Sequence, residues 1–154
     1  MKILVVDDDR IARSLVQMIL TKEHHEVVVA ENGEQALEFV RHGDIRMVIS
    51  DWNMPKINGI DLCQRLRKTL GLGYVYVIMV TSRDTKDEML VGLWAGADDF
   101  ITKPFEGNEL ILRVRKGERI IDTLRTSESK CNAFQECLAE MSPSTASQHV
   151  HTTT

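Results

Sequence analysis

The fold class predicted for this chain is α/β, a five-stranded parallel sheet flanked by five helices. Two observations predict it. Short aliphatic runs alternate five times with segments whose apolar residues repeat at helical spacing. The first run, Ile3-Leu4-Val5-Val6, is apolar at every position, as a strand buried on both faces requires. At 154 residues, with 43% hydrophobic and 27% charged, the chain is long enough for one domain with a real core and too short for two.

Taken in order, the strands are read at residues 3–6, Val27-Val28-Val29, Met47-Val48-Ile49, Val75 to Val80 and Phe100-Ile101. The helix after strand one takes its inward stripe from Ile11, Leu15, Met18 and Ile19. Ala36, Leu37 and Val40 mark the second helix, and Ile60, Leu62, Cys63 and Leu66 the third. Met89, Leu90, Leu93 and Trp94 mark the fourth, and Leu110, Ile111 and Val114 the fifth, expected from about Glu106 to Arg125. Cys63 and the methionines of these stripes read as core filler, because soft sulfur side chains pack into irregular gaps.

Ligands of such sheets bind beyond the carboxyl ends of the strands, where the winding direction reverses. The polar residues at those ends are therefore the candidates: Asp7-Asp8-Asp9, Asp51, Thr81-Ser82 and Lys103. Strand two ends in Ala30-Glu31-Asn32-Gly33, which reads as a turn and helix start. Three adjacent carboxylates repel one another, so they need a cation or raised pKa values to coexist. Mg²⁺, a hard ion with a preference for oxygen, is the natural partner. The plainer alternative is that Asp8 or Asp9 caps the helix that begins near Arg10. Asp51 precedes Trp52-Asn53-Met54-Pro55, and Pro55 with Gly59 makes that segment a loop with the acid exposed at the crevice. A carboxylate is a competent phosphoryl acceptor, giving an acyl phosphate. Lys103 offers a point charge for a phosphoryl oxygen and Thr81 a hydroxyl donor.

These motifs resemble those of a response-regulator receiver domain of two-component signalling. The matching residues are Val5-Val6-Asp7-Asp8, Asp51-Trp52-Asn53-Met54-Pro55 with Gly59, Thr81-Ser82, and Gly96 through Phe105 with its Lys103-Pro104 step. The likeness covers about residues 1–125. It implies a flavodoxin-like doubly wound sheet in the order 2-1-3-4-5. It also implies that Asp51 is the phosphoacceptor and that Asp8 and Asp51 ligate Mg²⁺ with the backbone carbonyl of Asn53. Asp7 would join directly or through water. Lys103 would pair with Asp51 at rest and with the phosphoryl oxygen afterwards, and Thr81 would swing inward with Phe100 following. The Lys103–Pro104 bond is expected to be cis. Phe100 stands where many relatives carry Tyr, and Arg83 lies two residues after Thr81, where identity tunes acyl-phosphate lifetime. The implied partners are a sensor histidine kinase or phosphotransfer protein upstream and a protein downstream. The implied role is a regulatory phosphoacceptor that promotes its own phosphoryl transfer and hydrolysis.

Other classes fit poorly. A net charge of −4 argues against nucleic acid as a direct partner. The basic stretch Arg113 to Arg119 reads as a solvated helix face near a C-terminus. No run approaches the roughly 18 apolar residues of a membrane span. Three cysteines form neither a metal pattern nor a disulfide framework, and no signal peptide precedes strand one, so a cytoplasmic protein is expected. A haloacid-dehalogenase-like phosphatase shares Asp7-x-Asp9, but Arg10-Ile11 follows where that family wants a hydroxyl residue, and no cap domain fits. A flavin carrier would want hydroxyls and amides in the first loop. Gly71-Leu72-Gly73 precedes a strand rather than following one, which excludes a dinucleotide fingerprint.

Residues 126–154 are expected to form a tail. Cys131, Phe134, Leu138 and Met141 share one helical face over 128–141, for docking on the domain, for pairing with a partner helix, or as a frayed helix. Residues 142–154, rich in Ser and Thr and holding His149 and His151, are expected to be disordered. Whether the chain stands alone or is a truncated piece of a longer regulator is open, as is homodimerisation through the last helix.

Overall fold

Five strands and five helices alternate in the computed structural model, which describes residues 1–69, 71–82 and 86–141. They run β1 (Lys2–Val6), α1 (Arg10–Lys22), β2 (Glu26–Ala30), α2 (Gly33–His42), β3 (Met47–Asp51), α3 (Gly59–Lys68), β4 (Tyr76–Thr81), α4 (Lys86–Ala95), β5 (Asp99–Thr102) and α5 (Gly107–Met141). The sheet order is β2-β1-β3-β4-β5 and every pairing is parallel. The predicted fold class and strand order are those observed.

The aliphatic runs are continuous because interior strands serve two cores at once. Alternate residues of β1 point to opposite faces, so Leu4 and Val6 join Val48, Val77 and Met79 with α2 and α3. Ile3 and Val5 join Ile49, Ile78 and Val80 under α1 and α5. The chain leaves β1 toward β2 on one side and returns to β3 on the other. The winding reversal therefore lies between β1 and β3, where a crevice is expected.

Two helices bury a different face from the predicted one. On α1 the inward residues are Arg13, Val16 and Leu20, with Ile19 of the predicted stripe packed against the core, while Ile11 is 82% exposed and Leu15 and Met18 are exposed. On α4 the buried residues are Gly92 and Ala95, and Met89, Leu90, Leu93 and Trp94 face solvent. The reason on α4 is spatial. A Cβ added at Gly92 would lie 2.5 Å from the Phe100 ring and 3.2 Å from the Trp52 indole, so only small residues fit between helix and sheet. Met18 and Met89 are thus surface residues rather than core filler. Cys63 is fully buried as expected, and burial pushes its thiol up to about 11.

Met1–Asp122 forms one compact unit, and a second begins at Thr123. In the first, α5 buries Leu110, Val114, Gly117 and Ile121. Helix α5 does not stop near Arg125 but continues to Met141, and every residue from Asp122 to Met141 is exposed. Residues 142–154, where disorder was expected, lie outside the described residues, as does Arg83. Among the described residues no helix is long and apolar enough to cross a membrane.

Gly117 lets α5 lie close to the sheet. A Cβ there would sit 2.6 Å from the Met47 methyl and 2.7 Å from the buried Tyr76 ring. Gly117→Val is therefore expected to lower stability by about 1–3 kcal/mol through overpacking, with little helix propensity gained in return. Urea denaturation measures it, and an unchanged midpoint would mean that the helix and sheet have room to spare.

Candidate functional site

The site begins with register. Val6 of β1 lies opposite Ser50 of β3, so the next residues, Asp7 and Asp51, stand side by side at the winding reversal. Carboxylate oxygens of Asp7, Asp8 and Asp51 all lie within 4.8 Å of one another, with Asp7 and Asp51 buried and Asp8 exposed. The acidic run divides its labour. Asp9 turns back to cap α1, accepting from the backbone N–H groups of Ile11 and Ala12. Its own N–H donates to Asp7 Oδ1 at 2.8 Å. The cap reading thus holds for Asp9, while Asp7 and Asp8 are brought together with Asp51.

Lys103 closes the group from β5. Its Nζ stands 3.0 Å from Asp51 Oδ1 and 3.5 Å from Asp7 Oδ2. The backbone aims it there, since Lys103 N–H donates to the Thr81 carbonyl at 2.7 Å, and the Lys103–Pro104 peptide is cis. Thr81 is buried at the end of β4, opposite Thr102. Asn53 is exposed in the loop after β3. That loop is tied down by Trp52 N–H to the Val80 carbonyl at 2.9 Å and Gly59 N–H to the Trp52 carbonyl at 3.0 Å. Gly59 approaches so closely that an added Cβ would fall 2.4 Å from the Asp51 carbonyl oxygen. Phe100 is half-buried against the Trp52 side of the core.

Burial raises the Asp7 pKa, and the Asp51 charge adds to that, against the Asp9 N–H and Lys103, which lower it. For Lys103 burial acts downward, but the hydrogen bond and charge of Asp51, with Asp7, outweigh it and the pKa rises. One ammonium is thus shared between the two buried carboxylates, with the exposed Asp8 carboxylate beside them. The donor set is all oxygen, clustered and short of positive charge, which fits a hard divalent cation. Beside it opens a cavity of about 460 Å³ whose apolar wall includes Ala12, Leu15, Val80, Pro104 and Phe105.

Two structural contributors went unread in the sequence. Arg13 is buried, with Nη1 donating to the Asp7 carbonyl at 2.6 Å and Nη2 to Glu31 at 3.2 Å, so it fixes the acidic turn from behind. Its spacing with Val16 and Leu20 was the available signal. The basic stretch of α5 is not merely a solvated face. Arg113 and Lys116 reach Asp99 at 2.8 and 3.3 Å, neutralising a buried acid at the far end of β5 from Lys103.

A model of the response regulator receiver domain matches residues 3–115. The chain is similar to the transcriptional regulatory protein CpxR of Escherichia coli K12, 44% identical over 114 residues that make up 74% of this chain and 47% of CpxR. It spans about half the length of the curated relatives it matches. Among solved structures it resembles the Francisella response regulator 1452 receiver domain, with a TM-score of 0.73 and 32% identity over 78% of this chain and 98% of that one. The Vibrio cholerae chemotaxis protein CheY4 aligns with a TM-score of 0.71 and 27% identity over 75% of this chain and 96% of that one.

A carboxyl whose folded pKa lies above its ordinary 3.8 favours the folded state while protonated. That contribution is complete below the unfolded value and is lost as pH rises through the folded one. In metal-free buffer Asp7→Asn should therefore stabilise the protein at pH 7 and lose that advantage near pH 3. Urea titrations at both values test it; a variant less stable than the parent at pH 7 would contradict this account of the charges around Asp7.

Proposed function

This chain belongs to the response regulator receiver domain family, and from that premise we propose that it is a phosphorylation-dependent switch whose acceptor is Asp51. Such domains are regulatory phosphoacceptors rather than enzymes that turn over an external substrate. The observation that carries the assignment is the Asp51 carboxylate, held at the mouth of the crevice with Lys103 Nζ at 3.0 Å and two more carboxylates beside it.

The donor is a phosphohistidine of a sensor histidine kinase or phosphotransfer protein. An Asp51 oxygen attacks phosphorus, the P–O bond forms as the P–N bond breaks, and the electron pair leaves with the imidazole. Transfer of this kind depends on positioning and charge neutralisation more than on covalent help. Lys103 follows the charge from the carboxylate to a phosphoryl oxygen, and the Thr81 hydroxyl donates to another. Asp7, Asp8, Asp51 and the Asn53 carbonyl would hold Mg²⁺, which when bound supplies neutralisation of the phosphoryl oxygens. The cavity beside the acids and the exposed Ile11 and Leu15 give a donor protein an apolar ledge next to the anionic site.

Switching follows from the same contacts. Moving a two-state equilibrium from mostly off to mostly on takes about 5 kcal/mol. A few charge-assisted hydrogen bonds of about 1.5–3 kcal/mol each are of the right size. Recruitment of Thr81 leaves space for Phe100, which has no ring hydroxyl and so responds by packing alone. The phosphatase alternative loses support because Asp9, its second carboxylate, is occupied as a helix cap. The downstream partner is a protein that distinguishes the two states; transcriptional output belongs to CpxR by its name.

Asp51→Asn should abolish incorporation of phosphate from a small phosphodonor with magnesium, read by intact mass. Retained labelling would place the acceptor elsewhere. Lys103→Ala should keep magnesium binding yet uncouple phosphorylation from the conformational change. Trp52 fluorescence reports this in a Trp94→Phe background, since Trp94 is 89% exposed and would otherwise dominate the signal. A full fluorescence response in the lysine variant would remove Lys103 from the switch.

A further inference from the structure

The helical segment Thr123–Met141 leaves a stripe of apolar residues exposed. Leu124, Ser127, Cys131, Phe134, Leu138 and Met141 recur at alternating spacings of three and four, which is the seam of a heptad repeat. Leu124, Cys131 and Leu138 take the a positions, and Ser127, Phe134 and Met141 the d positions. The apolar members are well exposed, Phe134 at 64% and Met141 at 73%. Thr, Ser, Cys and Asn, all poor helix formers, hold most of the positions from Thr123 to Asn132, so propensity alone does not sustain this helix. Burial of the seam would.

We propose that this segment pairs, parallel and in register, with the same segment of a second copy of the chain. The spacing selects a supercoiling helix as occupant, because a 3.5-residue seam stays in contact only with another helix of the same repeat. Charge permits self-pairing. Parallel pairing sets Thr123 against Glu128 of the second copy and Lys130 against Gln135, with no like charges opposed. The in-register parallel arrangement also matches layers by polarity. Ser127 meets Ser127, each hydroxyl already donating to its own Thr123 carbonyl at 3.1 Å, while Phe134, Leu138 and Met141 meet their own kind. An antiparallel pairing centred on the same seam would put Leu138 on Ser127.

The test is sedimentation velocity of the full chain over a wide concentration range. A reversible dimer is expected. Phe134→Asp should raise its dissociation constant by about a hundredfold, since a large side chain leaves the seam in each copy. Ser129→Asp, on the outer face, should leave it unchanged. Copper–phenanthroline oxidation in air then reports orientation: the Cys137→Ser variant should form a disulfide-linked dimer through Cys131, whose a position faces itself, and the Cys131→Ser variant should not. A monomer at every concentration, with the seam covered by residues beyond Met141 or reserved for another protein, overturns the proposal. So does a dimer indifferent to Phe134→Asp. Crosslinking through Cys137 alone overturns the parallel register. Phosphate incorporation at Asp51 is measured separately, and neither result depends on the other.

Discussion

Two carboxylates withdrawn from water within a few ångströms of each other govern this molecule. Asp7 and Asp51 are both buried, and the low polarity around them makes their mutual repulsion larger than it would be on a surface. Lys103 offsets part of it, from 3.0 and 3.5 Å, but one ammonium does not neutralise three acids. That residual imbalance is what the proposed function draws on: an all-oxygen cluster short of positive charge, and a lysine that would exchange partners when a more highly charged group arrives. A site satisfied in isolation would have nothing to exchange.

The sheet makes that imbalance tolerable. β1 and β3, like β4, bury both faces in the two cores, and the acids follow directly on their paired residues. Their positions are inherited from strand register rather than from flexible loops. Around them the turn is held from three sides: Arg13 on the Asp7 carbonyl, Asp9 on the start of α1, and Gly59 against the Asp51 carbonyl. Substantial stability elsewhere is needed to hold an electrostatic conflict in place, and the interior aliphatic strands supply it.

Much of this was legible in the chain. Aliphatic runs announce their own ends, so Asp7, Asp51, Thr81 and Lys103 could be named as neighbours from the sequence, and the order of the strands followed from the family likeness. What failed did so for physical reasons. A buried guanidinium such as Arg13 runs against the expectation that charge stays outside, so its alignment with Val16 and Leu20 carried no weight. Beyond Lys86-Asp87-Glu88, helix α4 is apolar on every side, and hydrophobicity cannot choose a face when the deciding contacts belong to Gly92 and Ala95. The pairing of Asp99 with Arg113 and Lys116 needs β5 beside α5, which local spacing does not encode. The acidic run was ambiguous because its members have different jobs, and only backbone geometry separates Asp9 from the other two.

Gly92 also links the electrostatics to the surface. Trp52 follows Asp51 directly, its indole lies on the core side of α4, and the Phe100 ring fills the space left by the missing side chain. A displacement of Thr81 toward Asp51 in the proposed switch would change what Phe100 packs against, and Phe100 rests on the helix whose outer face carries Leu90, Leu93 and Trp94. Apolar residues on that outer face contribute nothing to the core, and a glycine in mid-helix costs about 1 kcal/mol relative to alanine. Both features weaken α4 on its own account. A weakly anchored helix in contact with the Phe100 ring is the element whose position the proposed switch would shift, because little packing energy opposes it.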